Sequence, residues 1–148
     1  MITTSRKLFY ALEAVLIIAY NAGDSAVSSR DIAEKQGLSA RYLEQLMQKL
    51  VKAGLLRGVR GPNGGYVLAK ERRRISVADI CAVLADEQEN TEKYSKTPLG
   101  KEIIEPVWQD LEKAILEHLG LVNLAQLCEQ AEAKKIRKDI GENMDFII

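Results

Sequence analysis

Only two cysteines, Cys81 and Cys128, stand in the 148 residues of this chain. Two thiols do not make a disulfide framework at this length, so stability must come from a hydrophobic core. The single histidine, His118, falls within a long helical pattern and reads as a surface residue rather than a ligand. The longest apolar run, Ala14 to Tyr20, is far too short to cross a bilayer. The amino terminus lacks the cationic, apolar, small-residue order of a signal peptide. These absences predict a cytoplasmic chain with no membrane segment. No Ser/His/Asp set, metal-ligand spacing, phosphate-cradling loop or pair of carboxylates on one rigid face occurs, so no catalysis, cofactor or metal is expected. No internal repeat or low-complexity tract appears. The length suits one globular domain with an attached oligomerisation arm.

Net charge is zero, but the average hides a division. Residues 1–80 carry 13 Lys and Arg against 7 Asp and Glu, a net of +6. Residues 81–148 carry 8 against 14, a net of −6. A basic half joined to an acidic half points to a polyanionic partner for the first half only. The competing reading is an uneven scatter of solvated charges.

The pattern of apolar residues then divides the chain into elements. Leu8, Leu12, Val15, Leu16 and Ala19 recur at spacings of three and four, which predicts a helix over Thr4 to Tyr20. Ser28 or Ser29 is placed to cap a short helix through Lys35, with Asp31 in its first turn, where the helix dipole favours negative charge. Gly37 makes a turn. Ser39 caps a further helix, Ala40 to Ala53, which Gly54 stops. Leu43, Leu46, Met47 and Leu50 share one face of that helix, and Arg41, Glu44, Gln45, Gln48 and Lys52 share the other. A polar face near the start of a second helix is what major-groove reading needs, although a solvated face on an ordinary helical hairpin has the same pattern.

The stretch after that helix resolves the ambiguity. Two short apolar runs flank Arg60-Gly61-Pro62-Asn63-Gly64-Gly65, a turn in which proline donates no ladder hydrogen bond and glycine accepts backbone angles barred to other residues. This predicts a β-hairpin with a basic tip. Helix, turn, helix and an arginine-tipped hairpin, in that order, form a winged helix-turn-helix. The expected fold is mainly α with a small β-hairpin wing.

Beyond Glu71-Arg72-Arg73-Arg74, Ser76 and Asp79 resemble a capping box that opens a helix to about Ala85. Residues 1–85 are therefore assigned to the winged domain, and 86–97 to a polar loop. Thr97-Pro98 starts a helix that runs for more than twenty residues, with Leu99, Ile103, Ile104, Val107, Trp108, Leu111, Ile115, Leu116 and Leu119 as its apolar positions. Pro106 should kink or restart it. Asn123 with Gln126 opens another helix to about Ile136. An apolar stripe this long exceeds what a small winged domain buries, so residues 98–140 are expected to pair with a second copy through Ile104, Trp108, Leu111 and Ile115, unless they fold back on their own domain. Residues 141–148 are expected to form a flexible tail ending in Phe146-Ile147-Ile148.

Several stretches together resemble the Rrf-two family of bacterial winged helix-turn-helix transcription regulators. They are Asp31-Ile32-Ala33, Leu38-Ser39, Tyr42-Leu43-Glu44-Gln45-Leu46, Ala53-Gly54-Leu55, Arg60-Gly61, Gly64-Gly65-Tyr66 and Leu68-Ala69. The resemblance is strong over residues 5–85 and weaker around Val107-Trp108 and Leu111. It implies that Ser39, Tyr42, Glu44 and Gln45 lie at DNA-contacting positions of the recognition helix. It also implies that Arg60, beside Gly61 at the tip, enters a minor groove, where concentrated negative potential favours A·T-rich flanks. Arg41 stands where relatives carry other polar residues, and it would alter base preference. Tyr42 keeps two readings, a DNA contact and a partly buried core residue. Lys7, Arg57, Arg72 and Arg73 are better suited to phosphates than to bases. The expected ligand is double-stranded, pseudo-palindromic DNA, bound by a homodimer acting as a repressor.

Iron–sulfur members of the family carry three cysteines in the loop before the long helix. Here residues 86–97 contain none, and a cluster needs soft thiolates held close together. Cys81 sits among Ile80, Ala82, Val83 and Leu84, which suggests burial rather than redox sensing. The better match is the cluster-free branch, which includes a repressor of cysteine metabolism that associates with cysteine synthase and ends in a similar tail. Phe146, Ile147 and Ile148 would then dock into the synthase, which accepts carboxyl-terminal peptides ending in Ile. The other readings of these residues are a hydrophobic tail tucked onto the dimer and a frayed end. A second function follows, that of a protein-interaction module whose main partner is a metabolic enzyme.

Overall fold

A computed structural model describes residues 6–21, 25–85 and 95–138. Helix α1 (Arg6–Tyr20) turns Ala11, Ala14, Val15, Ile18 and Ala19 into the core. Helix α2 (Ser29–Gln36) starts at Ser28, whose hydroxyl accepts the Asp31 amide proton at 3.1 Å. It stops at Gly37, whose φ of 69° is cheap only for glycine. The Leu38 amide then reaches back to the Ala33 carbonyl at 2.9 Å and closes the helix end. Helix α3 (Ala40–Lys52) repeats the device. The Ser39 hydroxyl accepts from the Tyr42 amide at 3.1 Å, and the Leu55 amide closes on the Leu50 carbonyl at 3.0 Å.

Strands β1 (Leu56–Val59) and β2 (Gly65–Leu68) pair antiparallel, with Leu56 opposite Leu68 and Val59 opposite Gly65. The hairpin is anchored in the core by Leu56 at its root and by Tyr66 opposite Gly58. A backbone bridge pins it as well. The Tyr66 amide donates to the Val27 carbonyl at 2.8 Å, and the Val27 amide donates to the Tyr66 carbonyl at 3.0 Å. Gly65 permits this approach, because a Cβ at that position would run into the Val27 carbonyl. The wing is thus tied to the segment that leads into α2.

A 3-10 turn at Arg72–Arg74 leads to helix α4 (Val77–Leu84). Its predicted capping box is present: the Asp79 amide donates to Ser76 Oγ at 3.1 Å and the Ser76 amide to Asp79 Oδ2 at 2.9 Å. The long helical segment begins at Pro98, with Thr97 Oγ1 accepting from the Gly100 amide at 3.1 Å. The break expected at Pro106 takes the form of a π-helical turn, Gly100–Ile104, followed by helix α5 (Glu105–Gly120). Pro106 has no amide proton, and its ring crowds the carbonyl four residues earlier. A wider turn, in which the Glu105 amide bonds the Gly100 carbonyl, accommodates both.

Helix α6 (Leu124–Ala133) opens on the Asn123/Gln126 capping box, both of whose hydrogen bonds measure 2.9 Å. It ends short of the expected Ile136. Lys135 takes a left-handed φ of 56°, the Ile136 amide closes on the Ala131 carbonyl, and the Tyr20 hydroxyl donates to the Ile136 carbonyl. The junction between α5 and α6 is stitched to the segment before α4. Val77 donates to the Val122 carbonyl at 2.8 Å, and Leu124 donates to the Ile75 carbonyl at 3.0 Å.

One core runs through these elements. Ile18, Ile32, Leu43, Met47, Leu50, Leu56, Ile75, Ile80 and Leu124 are fully buried within it. Each such side chain contributes about 1.5–3 kcal/mol by leaving water. The core therefore includes α6 as well as the winged segment, with α6 lying against α1 and the 3-10 turn.

Candidate nucleic-acid interface

Helix α3 divides into two faces. Leu43, Leu46, Met47 and Leu50 point into the core, while Arg41, Gln45, Gln48, Lys49 and Lys52 are exposed. Ser39 is exposed at the amino-terminal end. Tyr42 is 37% exposed, so part of its side chain is open to solvent and part is covered.

Glu44 is half-buried on the outward side of α3, and its carboxylate is occupied. Ser29 Oγ donates to Oε2 at 2.6 Å, and Tyr66 Oη donates to Oε1 at 2.6 Å. Gln48 Nε2 donates to Tyr66 Oη at 3.0 Å and more weakly to Glu44 Oε1 at 3.4 Å. The hydrogen bonds from Ser29 and then Tyr66 hold the carboxyl below its usual pKa, against the opposing effect of burial. Burial first, and then the neighbouring Glu44, push the Tyr66 phenol up to about 12. At neutral pH the pair is a carboxylate and a neutral phenol.

This network joins α2, α3 and β2. It also locates the wing. Tyr66 is bonded to α3, Gly65 is the next residue, and the ladder partner of Gly65 is Val59, which precedes Arg60. Arg57, Arg60 and Gly61 are all exposed. Lys7 is half-buried in the first turn of α1, and α1 also packs against β2.

Arg72 and Arg73 stand elsewhere. They line a surface cleft of about 520 Å³ together with Glu71, Cys128, Glu129 and Glu132. Their neighbours in the cleft are acidic, and Arg73 pairs with Glu71 at 3.9 Å. Sequence reasoning marks neither Ser29 nor Tyr66 as a site residue and places Gln48 only on the polar face of the helix. The signal for Tyr66 was its place in an apolar strand, since a buried tyrosine hydroxyl usually finds a partner.

The two cysteines are buried, Cys81 on α4 and Cys128 on α6, and burial raises the Cys81 thiol above its ordinary pKa. His118 is exposed. Ile104 and Leu111 are exposed, while Trp108 and Ile115 are half-buried. Phe146, Ile147 and Ile148 lie outside the described residues. Among the described residues, no helix is long and apolar enough to cross a membrane.

Residues 4–130 match the model of the Rrf2 (Rrf-two) family, described as an iron-dependent transcriptional regulator. The chain belongs to the Rrf2 family. An HTH-type transcriptional regulator of Neisseria meningitidis is 40% identical over 124 residues, spanning 82% of this chain and 84% of that protein. IscR of Xenorhabdus nematophila is 35% identical over 139 residues, spanning 92% and 82%. Among solved structures, T. potens IscR aligns with a TM-score of 0.73 at 38% identity, covering 91% of this chain and 92% of that one. CymR, the global cysteine regulator of B. subtilis, aligns with a TM-score of 0.70 at 32% identity, covering 88% and 98%. The winged helix-turn-helix is thus the DNA-binding fold of an Rrf2 transcriptional regulator, as the sequence implied.

Proposed function

We propose that this Rrf2 regulator acts in the cytoplasm as a homodimeric, sequence-specific repressor whose recognition helix and wing grip adjacent grooves of one duplex. The observation that carries this reading is the Glu44–Tyr66 hydrogen bond, which holds strand β2 of an arginine-tipped hairpin against the outward face of α3. Ser39, Arg41, Tyr42 and Gln45 face the major groove, with Tyr42 presenting its solvent-exposed part. Arg60 and Gly61 reach the minor groove, and Lys7 and Arg57 contact phosphates. Among the described residues, helix α6 of the acidic half packs against α1 and the 3-10 turn, while Ser39, Arg41, Gln45, Arg57 and Arg60 are exposed. The dimer reading rests on the apolar stripe of the long helix, which includes Ile104, Trp108, Leu111 and Ile115, and pseudo-palindromic operators suit a two-fold dimer.

Binding should fall steeply with salt. Arg60→Ala should weaken operator binding about tenfold or more, most at A·T-rich flanks. An Arg60→Ala variant that binds like the parent in a fluorescence-anisotropy titration would overturn the assignment of the wing.

The residues do not fit an iron–sulfur cluster, despite the description of the family as iron-dependent. Residues 86–97 contain no thiolate, and Cys81 and Cys128 are buried in separate helices. The likeness to CymR supports a role in cysteine metabolism. On that reading Phe146, Ile147 and Ile148 dock into cysteine synthase. Deleting these three residues should abolish binding to the synthase by calorimetry, and unchanged binding would exclude docking through the tail.

A further inference from the structure

The position of Glu44 on α3 suits base reading, yet its side chain is committed elsewhere. A carboxylate offers roughly four acceptor sites. Ser29, Tyr66 and Gln48 already donate to three of them, and the two shortest bonds are charge-assisted. The three donors come from three different elements: the start of α2, strand β2, and the next turn of α3. Tyr66 is nearly inaccessible, with 5% of its surface exposed, so its hydroxyl does not reach a DNA surface. What the hydroxyl does reach is the recognition helix.

The wing has a second anchor in the backbone bridge between Tyr66 and Val27. That bridge fixes β2 to the segment before α2 and makes no bond to the outward face of α3. The side-chain network adds the polar link on that face, joining α2, α3 and β2 at one point.

We infer that Glu44 is a positioning residue rather than a base reader. With Tyr66 and Ser29 it sets the spacing between the Ser39 end of α3 and the Arg60 tip, and so the register in which two neighbouring grooves are read. This role rests on the DNA-binding reading above. Loosening the network should leave the charges and the exposed side chains in place. The affinity common to all sequences should survive, and the preference for one sequence should fall.

The test uses the full chain and two probes, a duplex enriched by the parent protein from a random-sequence pool and a random-sequence duplex of the same length. Tyr66→Phe removes one hydroxyl from a residue that does not face DNA. Its ratio of selected to random affinity should fall roughly tenfold, the scale of a lost hydrogen bond to a charged group. Affinity for the random duplex should stay near that of the parent. Glu44→Gln should lower the ratio similarly, although it also removes one negative charge and so raises affinity for both duplexes, and the double variant should have a ratio no lower than either single one. Ser29→Ala, which leaves the wing untouched, should lower the ratio too and serves if Tyr66→Phe does not fold. A ratio at the parental value for both Tyr66→Phe and Ser29→Ala, or strictly additive losses, would overturn the role. So would a Glu44→Gln variant that changes preference at a single base pair while Tyr66→Phe changes nothing, since that is the signature of direct reading. If the parent enriches no sequence from the pool, the DNA-binding reading itself fails, and this role with it.

Discussion

Helix α3 and the long helical segment carry apolar residues at the same three- and four-residue spacings, yet the two bury them oppositely. In α3 the apolar face is sealed, with Leu43, Met47 and Leu50 at 0% exposure. In the long segment Leu99, Ile103, Ile104 and Val107 are all more than half exposed, and of the described residues of α5 none is buried. Periodicity shows that a helix has an apolar face, but not what covers it. The winged segment and α6 cover theirs within the chain. The long segment presents an apolar surface of the kind that marks an interaction site.

The sharpest way to break this comparison is to place charge on the uncovered stripe. Val107→Glu with Ile103→Glu should convert a dimer to a monomer in sedimentation, while the helical circular dichroism of the monomer persists. Equal masses for parent and variant would exclude this stripe as the dimer seam. A smaller effect comes from deleting methylenes on each side of the divide. Leu50→Ala should cost about 2–5 kcal/mol of folding stability in a denaturant titration, the usual cost of a core cavity. Ile103→Ala should leave monomer stability nearly unchanged. Helix α5 packs against α4, and comparable losses at the two positions would show that the Ile103 end of the long segment is covered by its own chain as well. Smaller still are the helix caps. Ser76→Ala and Asn123→Ala should each cost about 1 kcal/mol, read as a lower thermal midpoint. The mildest effect is one of pH. Because the folded pKa of Glu44 lies below its unfolded value, its network stabilises above that unfolded value and is lost as pH falls through the folded one. Glu44→Gln should flatten that part of the acid profile, and an unchanged profile would count against the network.

Much of the winged segment was legible because its signals are local. Ser28, Gly37, Ser39, Gly54 and the Ser76/Asp79 pair each act within a few residues, and the structure uses each at the expected end of a helix. Pro106 announced a break but not its form, since whether a helix kinks, restarts or widens depends on how the preceding turn accommodates the ring. The end of α6 was misplaced because Lys135 takes a left-handed angle with no glycine to mark it. The engagement of Glu44 was hidden for a different reason. Its partners lie fifteen residues earlier and twenty-two later, and no window of sequence shows that Ser29 and Tyr66 converge on one carboxylate.

The stitching of Ile75 and Val77 to Val122 and Leu124 has a consequence for dissecting the molecule. The segment before α4 and the segment after α5 form one splice, and Leu124 and Cys128 plug the core from the α6 side of it. A piece ending near residue 85 would keep every groove-facing residue while losing both plugs and the partners of two backbone amide–carbonyl bonds. Such a piece would be expected to melt early or bind poorly for reasons unrelated to recognition. The recognition surface and the core that supports it do not end at the same residue.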